Sequence, residues 1–330
     1  MYVAQIRRGS SQSTAELDSV SSVLAQLLLQ GISVDYACKR GECGQCRVEL
    51  LAGAVKPLEA AWPYRSGSSS VLLCNVIAQS DLKIDVPHLQ ELAGIQQLKV
   101  PAKIHQLVHL SEDVLEVYLR LPPSTQFRFL AGQFIRVTNG EKVTRSYSLA
   151  APVAEDKLLR VQVRRVGGGA FSDWLFGRAK LGELLYVEGP CGKFFFRDAG
   201  EFKKSIFLAT GTGVAPIYAI LAALTPDQVR RAGSIHVYWG NRSRNDAYFI
   251  GELTKLLDRL GAGLTLVFSS EATNQGRRYV QDYLLDEHPD LSSAQVFAAG
   301  SSLMTAAAAE VCSRLGLPED CYHSDPFTVS

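Results

Sequence analysis

The stretch "CKRGECGQC", residues 38–46, carries three of the chain's seven cysteines: Cys38, Cys43 and Cys46. Gly41 and Gly44 lie between them and permit the left-handed backbone that a tight turn around a bound group requires. A fourth cysteine, Cys74, follows much later in the chain. The loop therefore predicts a site at which several cysteine sulfurs converge on one group.

The spacing C-x4-C-x2-C with a distant fourth cysteine is typical of plant-type 2Fe-2S sites. Structural zinc sites usually contain two closely spaced pairs, whereas the fourth cysteine here is solitary. The C-x2-C pair alone would also fit a redox dithiol, which is a less specific pattern. Residues 34–86 resemble a plant-type ferredoxin domain, and this resemblance implies that the cluster ligands are Cys38, Cys43, Cys46 and Cys74.

Length and composition restrict the class of protein. A chain of 330 residues predicts two or three domains, and a net charge of +1 without a long basic run disfavours nucleic acid as a partner. The longest apolar runs, such as "IYAILAAL" at 217–224, are much shorter than a membrane span. The N-terminus shows no signal peptide, so we expect a cytoplasmic protein without a membrane partner.

The chain divides into segments of different pattern. Residues 1–87 mix short strands with one helix, and the ferredoxin resemblance implies an α+β, β-grasp domain. Residues 88–100 predict a linker. Alternating short apolar runs over 101–198 predict an antiparallel β-barrel, which the flavin motif described below makes an FAD domain. Strands alternate with helices over 199–330, which predicts an α/β parallel-sheet, nucleotide-binding domain.

One helix in the first segment has recognisable signals at both ends. Apolar residues recur at helical spacing from Val20 onward, which indicates one buried helix face. Asp18 or Ser19 can cap its N-terminus, and Gly31 can end it.

The stretch "RSYSLA", residues 145–150, lies within the predicted barrel. The tetrapeptide R-x-Y-S alone also occurs in ordinary edge strands. It resembles, however, the flavin motif of the ferredoxin–NADP reductase superfamily, and "GGGAFSDWL" at 167–175 adds a glycine turn before a helix N-terminus that suits phosphate. The resemblance implies a set of FAD-binding residues: Arg145, Tyr147, Ser148, Gly168, Gly169 and Ser172. Arg145 would pair with the pyrophosphate, Tyr147 would pack on the flavin, and Ser148 would reach its ring edge.

The stretch "LATGTGVAPI", residues 208–217, lies between a predicted strand and a predicted helix. As a G-x-G-x-x-G fingerprint it is incomplete, because Pro216 occupies the third glycine position. It resembles the superfamily's G-T-G-x-A-P signature for nicotinamide nucleotides, and "YWGNR" and "AAGSSLM" resemble two further nucleotide loops. The resemblance implies a set of NAD-binding residues: Gly211, Thr212, Gly213, Pro216, Gly240, Gly300 and Ser301.

Two positions depart from the superfamily pattern. Ala299 stands before Gly300, where a cysteine is common, so no thiol is expected beside the nicotinamide. Glu271 follows "LTLVFSS" where NADPH enzymes often have an arginine, which favours NADH. Several arginines keep NADPH possible: Arg242, Arg244, Arg277 and Arg278. Near the C-terminus, Phe327 is either a residue that stacks on the flavin or an ordinary core phenylalanine.

The order of the three motifs predicts electron transfer from NADH through FAD to the 2Fe-2S cluster and then to a partner enzyme, with Ser148 and Phe327 as the catalytic candidates. Six stretches resemble another group of proteins: "LRLPPSTQFRFLAGQF", "TRSYSLA", "GGGAFSDWLF", "VEGPCGKFFFR", "HVYWG" and "SDPF". Through them nearly the whole chain resembles the CDP-6-deoxy-delta-3,4-glucoseen reductases of 3,6-dideoxyhexose biosynthesis, which implies a CDP-4-keto-6-deoxyglucose-3-dehydrase as the acceptor. The same architecture serves Rieske-type and multicomponent oxygenases as their reductase component. A non-enzymatic redox sensor is a third reading, disfavoured by three intact cofactor motifs.

Overall fold

A computed structural model of the chain describes residues 1–32, 34–36, 38–41, 44–58, 69–87, 89–152, 157–197, 200–271 and 278–327. The chain forms two compact units, Met1–Gly94 and Ile95–Ser330, and the division falls within the segment 88–100. Within the described ranges, no helix has both the length and the apolar character needed to cross a bilayer.

The first unit is a mixed sheet with one helix packed on it. Its elements are β1 (Tyr2–Arg8), β2 (Ser11–Leu17), α1 (Val23–Leu29), β3 (Arg47–Ala52), β4 (Val55–Pro57), β5 (Ser70–Leu72), β6 (Val76–Ala78) and β7 (Leu82–Asp85). The sheet order is β2-β1-β7-β3-β5, and β4 pairs separately with β6. β1 and β7 run parallel, whereas the other neighbours are antiparallel. This arrangement confirms the predicted α+β class of the first unit.

Helix α1 begins later than the sequence predicted. Its N-cap is Ser22, whose hydroxyl accepts a hydrogen bond from the amide of Ala25 at 3.3 Å. The carboxylate of Asp18 instead accepts from the amides of Val20 and Ser21 and holds them in a turn before the helix. The prediction of Asp18 or Ser19 as the cap was therefore wrong, because the local Asp turn competes with helix formation.

The second unit starts with an antiparallel barrel. Its elements are β8 (Leu98–His109), β9 (Val114–Arg120), β10 (Phe134–Thr138), β11 (Thr144–Ser148), β12 (Leu158–Arg164), α2 (Ala170–Gly177) and β13 (Leu184–Cys191). The strand order is β11-β10-β13-β8-β9-β12, and a bridge between Leu149 and Val161 brings the two outer strands together. The predicted antiparallel barrel is thus confirmed, and its first strand begins at Leu98, before the predicted segment.

A parallel sheet completes the second unit. Its elements are β14 (Lys204–Thr210), α3 (Val214–Ala223), α4 (Pro226–Ala232), β15 (Ser234–Asn241), α5 (Ile250–Leu260), β16 (Gly263–Phe268), α6 (Val280–Glu287), β17 (Ala294–Ser301), α7 (Ser302–Arg314) and β18 (Tyr322–Phe327). The order β16-β15-β14-β17-β18 is parallel throughout. Helices α3 and α5 cover one face, while α6 and α7 cover the other. The predicted α/β fold is confirmed.

Gly132 lies where the barrel meets the nucleotide sheet's helix α3. Its φ is +97°, and a Cβ there would lie 2.7 Å from Cδ1 of Ile220 and closer still to the carbonyl oxygen of Phe194. Gly140 has neither constraint, since no atom lies within 4 Å of its Cβ position. Of these two glycines, only Gly132 therefore combines a left-handed backbone with a crowded position.

We expect Gly132→Ala to lower the Tm of the protein by about 4–8 °C, because backbone strain and overpacking together cost roughly 2 kcal/mol. Differential scanning calorimetry measures this shift, with Gly140→Ala as the matched control. Equal melting temperatures for the two variants would contradict the prediction.

Candidate functional site

The cysteine loop of the first unit directs backbone amides at sulfur atoms. The amide of Gly41 donates to Sγ of Cys74 at 3.1 Å, and the amide of Arg40 donates to Sγ of Cys38 at 3.4 Å. Positive φ values at Lys39 (58°) and Gly41 (80°) produce this turn. The loop thus supplies donors to sulfur acceptors, which is what a thiolate-bound cluster requires.

The thiols of Cys46 and Cys74 are buried next to each other. A hydrogen bond between them lowers the pKa of Cys46 and raises the pKa of Cys74. The predicted ligand Cys43 lies outside the described residues, and the residues that are described contain no group of three metal-ligating side chains. The buried thiol pair and its amide donors nevertheless fit a cluster held by cysteine sulfur.

Strand β11 carries the R-x-Y-S motif at the edge of the barrel sheet. Tyr147 pairs in register with Ile135 of β10, and its ring lies 5.5 Å from the ring of Phe171 in α2. Burial raises the pKa of Tyr147, so its hydroxyl stays protonated. Nη1 of Arg145 donates to the carbonyl of Thr144 at 2.8 Å. The motif therefore forms part of the wall between β11 and α2.

The glycine turn before α2 is held by a side chain of its own helix. The hydroxyl of Ser172 accepts from the amide of Val166 and donates to its carbonyl, both at 3.1 Å. Gly168 has a φ of +75° and open space at its Cβ position, whereas a Cβ on Gly169 would lie 2.7 Å from the Ser172 hydroxyl. The Ser172 hydroxyl is thus hydrogen-bonded within the turn, whereas the space beside Gly168 is open.

A buried acid, which the sequence analysis did not identify, contacts the flavin motif. The hydroxyl of Ser148 donates to the carboxylate of Asp325 at 2.6 Å. Asp325 lies on β18, two residues before Phe327, and burial raises its pKa to about 6. Phe327 itself is half-buried and pairs in register with Ser301 of β17. The bond joins the barrel to the nucleotide sheet.

Three nucleotide motifs meet at the carboxyl edge of the parallel sheet. A Cβ on Gly213 would collide with the carbonyl oxygen of Ala299, and a Cβ on Gly300 would collide with Thr210. The hydroxyl of Thr210 also accepts from the amide of Ser301 at 2.9 Å. Motifs that are distant in sequence are therefore adjacent here, at the crevice between β14 and β17 where open α/β sheets bind ligands.

The remaining predicted residues lie around the same edge. Gly240, the second-last residue of β15, pairs in register with Thr210, and a Cβ on it would be 3.2 Å from Cγ2 of that threonine. Gly211 and Thr212 form a short 3-10 turn that leads into α3, and Pro216 is buried in the first turn of that helix. The structure thus brings together all seven predicted nucleotide residues around one crevice.

Two polar residues at this crevice were missed. The guanidinium carbon of Arg164, at the end of β12, lies 3.8 Å from the Cβ position of Gly211, and its Nη2 is buried without a hydrogen-bond partner among the described residues. Both polar atoms of the Asn241 side chain are likewise buried and unpartnered within the described ranges. Asn241 directly follows Gly240, so its place in the "YWGNR" loop was the available signal. These orphaned groups and the glycine cradle fit a bound dinucleotide.

The position expected to select between NADH and NADPH carries an ion pair. Nη2 of Arg244 lies 3.3 Å from Oε2 of Glu271, and the guanidinium also lies over the ring of Phe268 at 5.0 Å. The hydroxyl of Ser270 donates to the carbonyl of Arg242 at 2.5 Å. Arg277 lies outside the described residues, while the amide of Arg278 donates to Asp282. Glu271 therefore forms an ion pair with Arg244.

Family models match three successive parts of the chain. Residues 7–79 match the 2Fe-2S iron-sulfur cluster binding domain. Residues 101–196 match the oxidoreductase FAD-binding domain, and residues 207–310 match the oxidoreductase NAD-binding domain. The cofactors predicted from the sequence, a 2Fe-2S cluster, FAD and NADH, are thus those of the matched domains.

Relatives and solved structures cover the same architecture. The chain is 33% identical over 318 residues to the CDP-6-deoxy-L-threo-D-glycero-4-hexulose-3-dehydrase reductase of Yersinia pestis, with 95% of each chain covered. It is 30% identical to the xylene/toluene monooxygenase electron transfer component XylA of Pseudomonas putida, covering 93% of this chain and 88% of that protein.

Among solved structures, the ferredoxin reductase in carbazole 1,9a-dioxygenase aligns with a TM-score of 0.66, 28% identity and 99% coverage of both chains. The Amycolatopsis cytochrome P450 reductase GcoB shares the fold, with a TM-score of 0.72, 23% identity and coverage of 98% of this chain and 99% of that one. The chain belongs to the ferredoxin–NADP reductase superfamily, in the family of reductases whose FAD- and NAD-binding domains are joined to an N-terminal 2Fe-2S ferredoxin domain.

Proposed function

We propose that this protein is an NADH-dependent iron–sulfur flavoprotein reductase that passes electrons from NADH through FAD and the 2Fe-2S cluster to a partner enzyme. The hydrogen bond between Ser148 and Asp325 carries this proposal, because it brings the flavin motif to the edge of the nucleotide crevice. When bound, the cofactors supply the conversion of a two-electron hydride donor into single-electron transfers. The chain supplies the placement of those cofactors.

The residues divide into three binding groups. Arg145 would hold the FAD pyrophosphate together with Gly168 and Gly169, while Tyr147 would lie against the flavin and Phe327 would stack on it. The crevice glycines, Arg164 and Asn241 would hold the NADH pyrophosphate and its ribose. The cluster would be held by Cys38, Cys43, Cys46 and Cys74.

Ser148 and Asp325 would act together at the reacting edge of the flavin. While Asp325 is ionised, it accepts a hydrogen bond from the Ser148 hydroxyl, so the lone pairs of the serine oxygen remain available to accept a hydrogen bond from another donor. When Asp325 is protonated, it can donate to Ser148, and the serine proton turns towards the flavin side. The pair thus sets whether the serine accepts or donates at that edge.

The partner we propose is a CDP-4-keto-6-deoxyglucose-3-dehydrase, because the relative from Yersinia pestis is the reductase of a hexulose dehydrase. An oxygenase component is the second candidate, since the relative from Pseudomonas putida is a monooxygenase electron transfer component. A reductase with a cysteine-bound cluster belongs in a reducing compartment, so we propose the cytoplasm.

We expect NADH to bleach the flavin and cluster absorbance of the anaerobic protein, and the dehydrase with its sugar substrate to sustain NADH consumption. The electron acceptor is necessary because a fully reduced chain takes no further hydride. Spectrophotometry follows both steps, with an oxygenase component as the alternative acceptor. Absence of bleaching would overturn the reductase function, whereas turnover only with the oxygenase would overturn the dehydrase assignment.

We expect the rate of flavin reduction by NADH to fall about tenfold as the pH drops below about 6, where Asp325 gains a proton. A hydrogen bond to a charged group is worth about 1.5–3 kcal/mol, which corresponds to at least tenfold in rate. In the Asp325→Asn variant, flavin reduction should be slow at every pH, and its rate should not fall further below pH 6. Anaerobic stopped-flow measurements on variants with matched FAD content test this role of Asp325. A fall in the rate of flavin reduction below pH 6 that persists in Asp325→Asn would refute it.

We expect kcat/KM to be higher with NADH than with NADPH, and Glu271→Gln to raise the NADPH value about three- to tenfold. The substitution frees Arg244 from its ion pair, so the guanidinium can pair with a 2′-phosphate. Glu252→Gln is the matched control, because it breaks the comparable pair with Lys255 on α5. Equal NADPH gains in both variants, or a parent enzyme that prefers NADPH, would count against this role.

A further inference from the structure

A cavity of about 550 Å³ opens on the barrel, and its described lining contains no residue of the cysteine, flavin or nucleotide motifs. It lies between the end of β9, the loop 121–130 and the start of β12, where Arg120 and Leu158 pair in register. Its volume lies within the roughly 300–1,000 Å³ of small-molecule sites.

The inner wall of this cavity is apolar and partly aromatic. The rings of Phe127 and Phe129 lie with their centroids 6.2 Å apart and are tilted by 56°. Both rings are half-buried against the barrel core, and Leu159 behind them is buried. Such a wall suits a flat apolar body, because it offers ring faces and aliphatic surface without polar groups that need partners.

The rim carries positive charge from Arg120, Arg128 and Lys157, and the lining residues that the structure describes include no carboxylate. Nη2 of Arg120 bonds Nε2 of the His105 imidazole at 3.1 Å, and none of these three cations has an ion-pair partner within the described ranges. The acidic pair at 155–156 precedes Lys157 and lies outside the described residues. The described part of the rim is therefore complementary to an anion.

We propose that this cavity binds a small aromatic monocarboxylate, with the flat ring against Phe127 and Phe129 and the carboxylate at the basic rim. A carboxylate fits because the planar guanidinium groups of Arg120 and Arg128 can each offer two parallel donors. A neutral ring would gain only the apolar contacts. This site is independent of the proposed electron transfer, since it shares no residue with that machinery.

Isothermal titration calorimetry of the full chain with its cofactors tests the proposal, with 2-naphthoate as the probe. We expect one binding site per chain, and the same affinity when NAD⁺ saturates the nucleotide crevice. The neutral isostere 2-naphthamide should bind about fivefold or more weakly, because it lacks the charge. Competition by NAD⁺, equal affinity of the amide, or no binding at millimolar naphthoate would overturn the proposal.

Variants locate the site. Arg128→Glu and Lys157→Glu should each weaken naphthoate binding about fivefold or more while leaving the naphthamide affinity unchanged. Lys255→Glu is the matched control, because this exposed lysine lies on α5. Phe127→Ala should weaken both probes, and the exposed Arg128 variant keeps the test valid where the phenylalanine variant does not fold. A loss in Lys255→Glu equal to that in Arg128→Glu would show non-specific attraction and refute the site.

Discussion

A buried hydrogen bond joins the two parts of the second unit, from the hydroxyl of Ser148 to the carboxylate of Asp325. The two residues are 177 positions apart in the chain, one on the barrel strand β11 and one on the last strand of the nucleotide sheet. A buried carboxylate without a partner would cost several kcal/mol, so the pairing favours the arrangement in which barrel edge and sheet edge meet. Together with the hydrogen bond from the Tyr248 hydroxyl to Gln162, this pairing holds the flavin motif beside the nucleotide motifs.

Close backbone approach explains the glycines of the nucleotide crevice better than ligand contact alone. Gly213 lies so close to the carbonyl of Ala299, and Gly300 so close to Thr210, that any side chain would separate β14 from β17. The same approach lets the Thr210 hydroxyl accept from the amide of Ser301. The lack of side chains at these glycines therefore allows the close approach that shapes the crevice. As a consequence, it also leaves backbone amides exposed to a phosphate.

The sequence allowed us to predict the fold class and the glycine and cysteine motifs, because these signals are local. Three consecutive patterns, the cysteine spacing, the alternating barrel strands and the strand–helix repeats, each depend on neighbouring residues. Asp325 and Arg164 were missed because their importance arises from contacts between distant strands. Strand β18 was missed as well, since "YHSDPF" contains weak strand formers and pairs only because β17 presents a buried edge.

The register of β17 and β18 shows which residue lies beside Ala299, the position that departs from the superfamily pattern. Ala299 pairs directly with Asp325, so the acid lies one strand away from the position where relatives of this superfamily commonly carry a thiol. The alanine is fully buried and offers no polar atom, whereas the neighbouring carboxylate reaches Ser148 at 2.6 Å. The polar group beside the flavin motif therefore comes from β18 instead of β17. A carboxylate whose pKa is about 6 changes charge near neutral pH, which an alanine cannot do and a thiol would do only at higher pH.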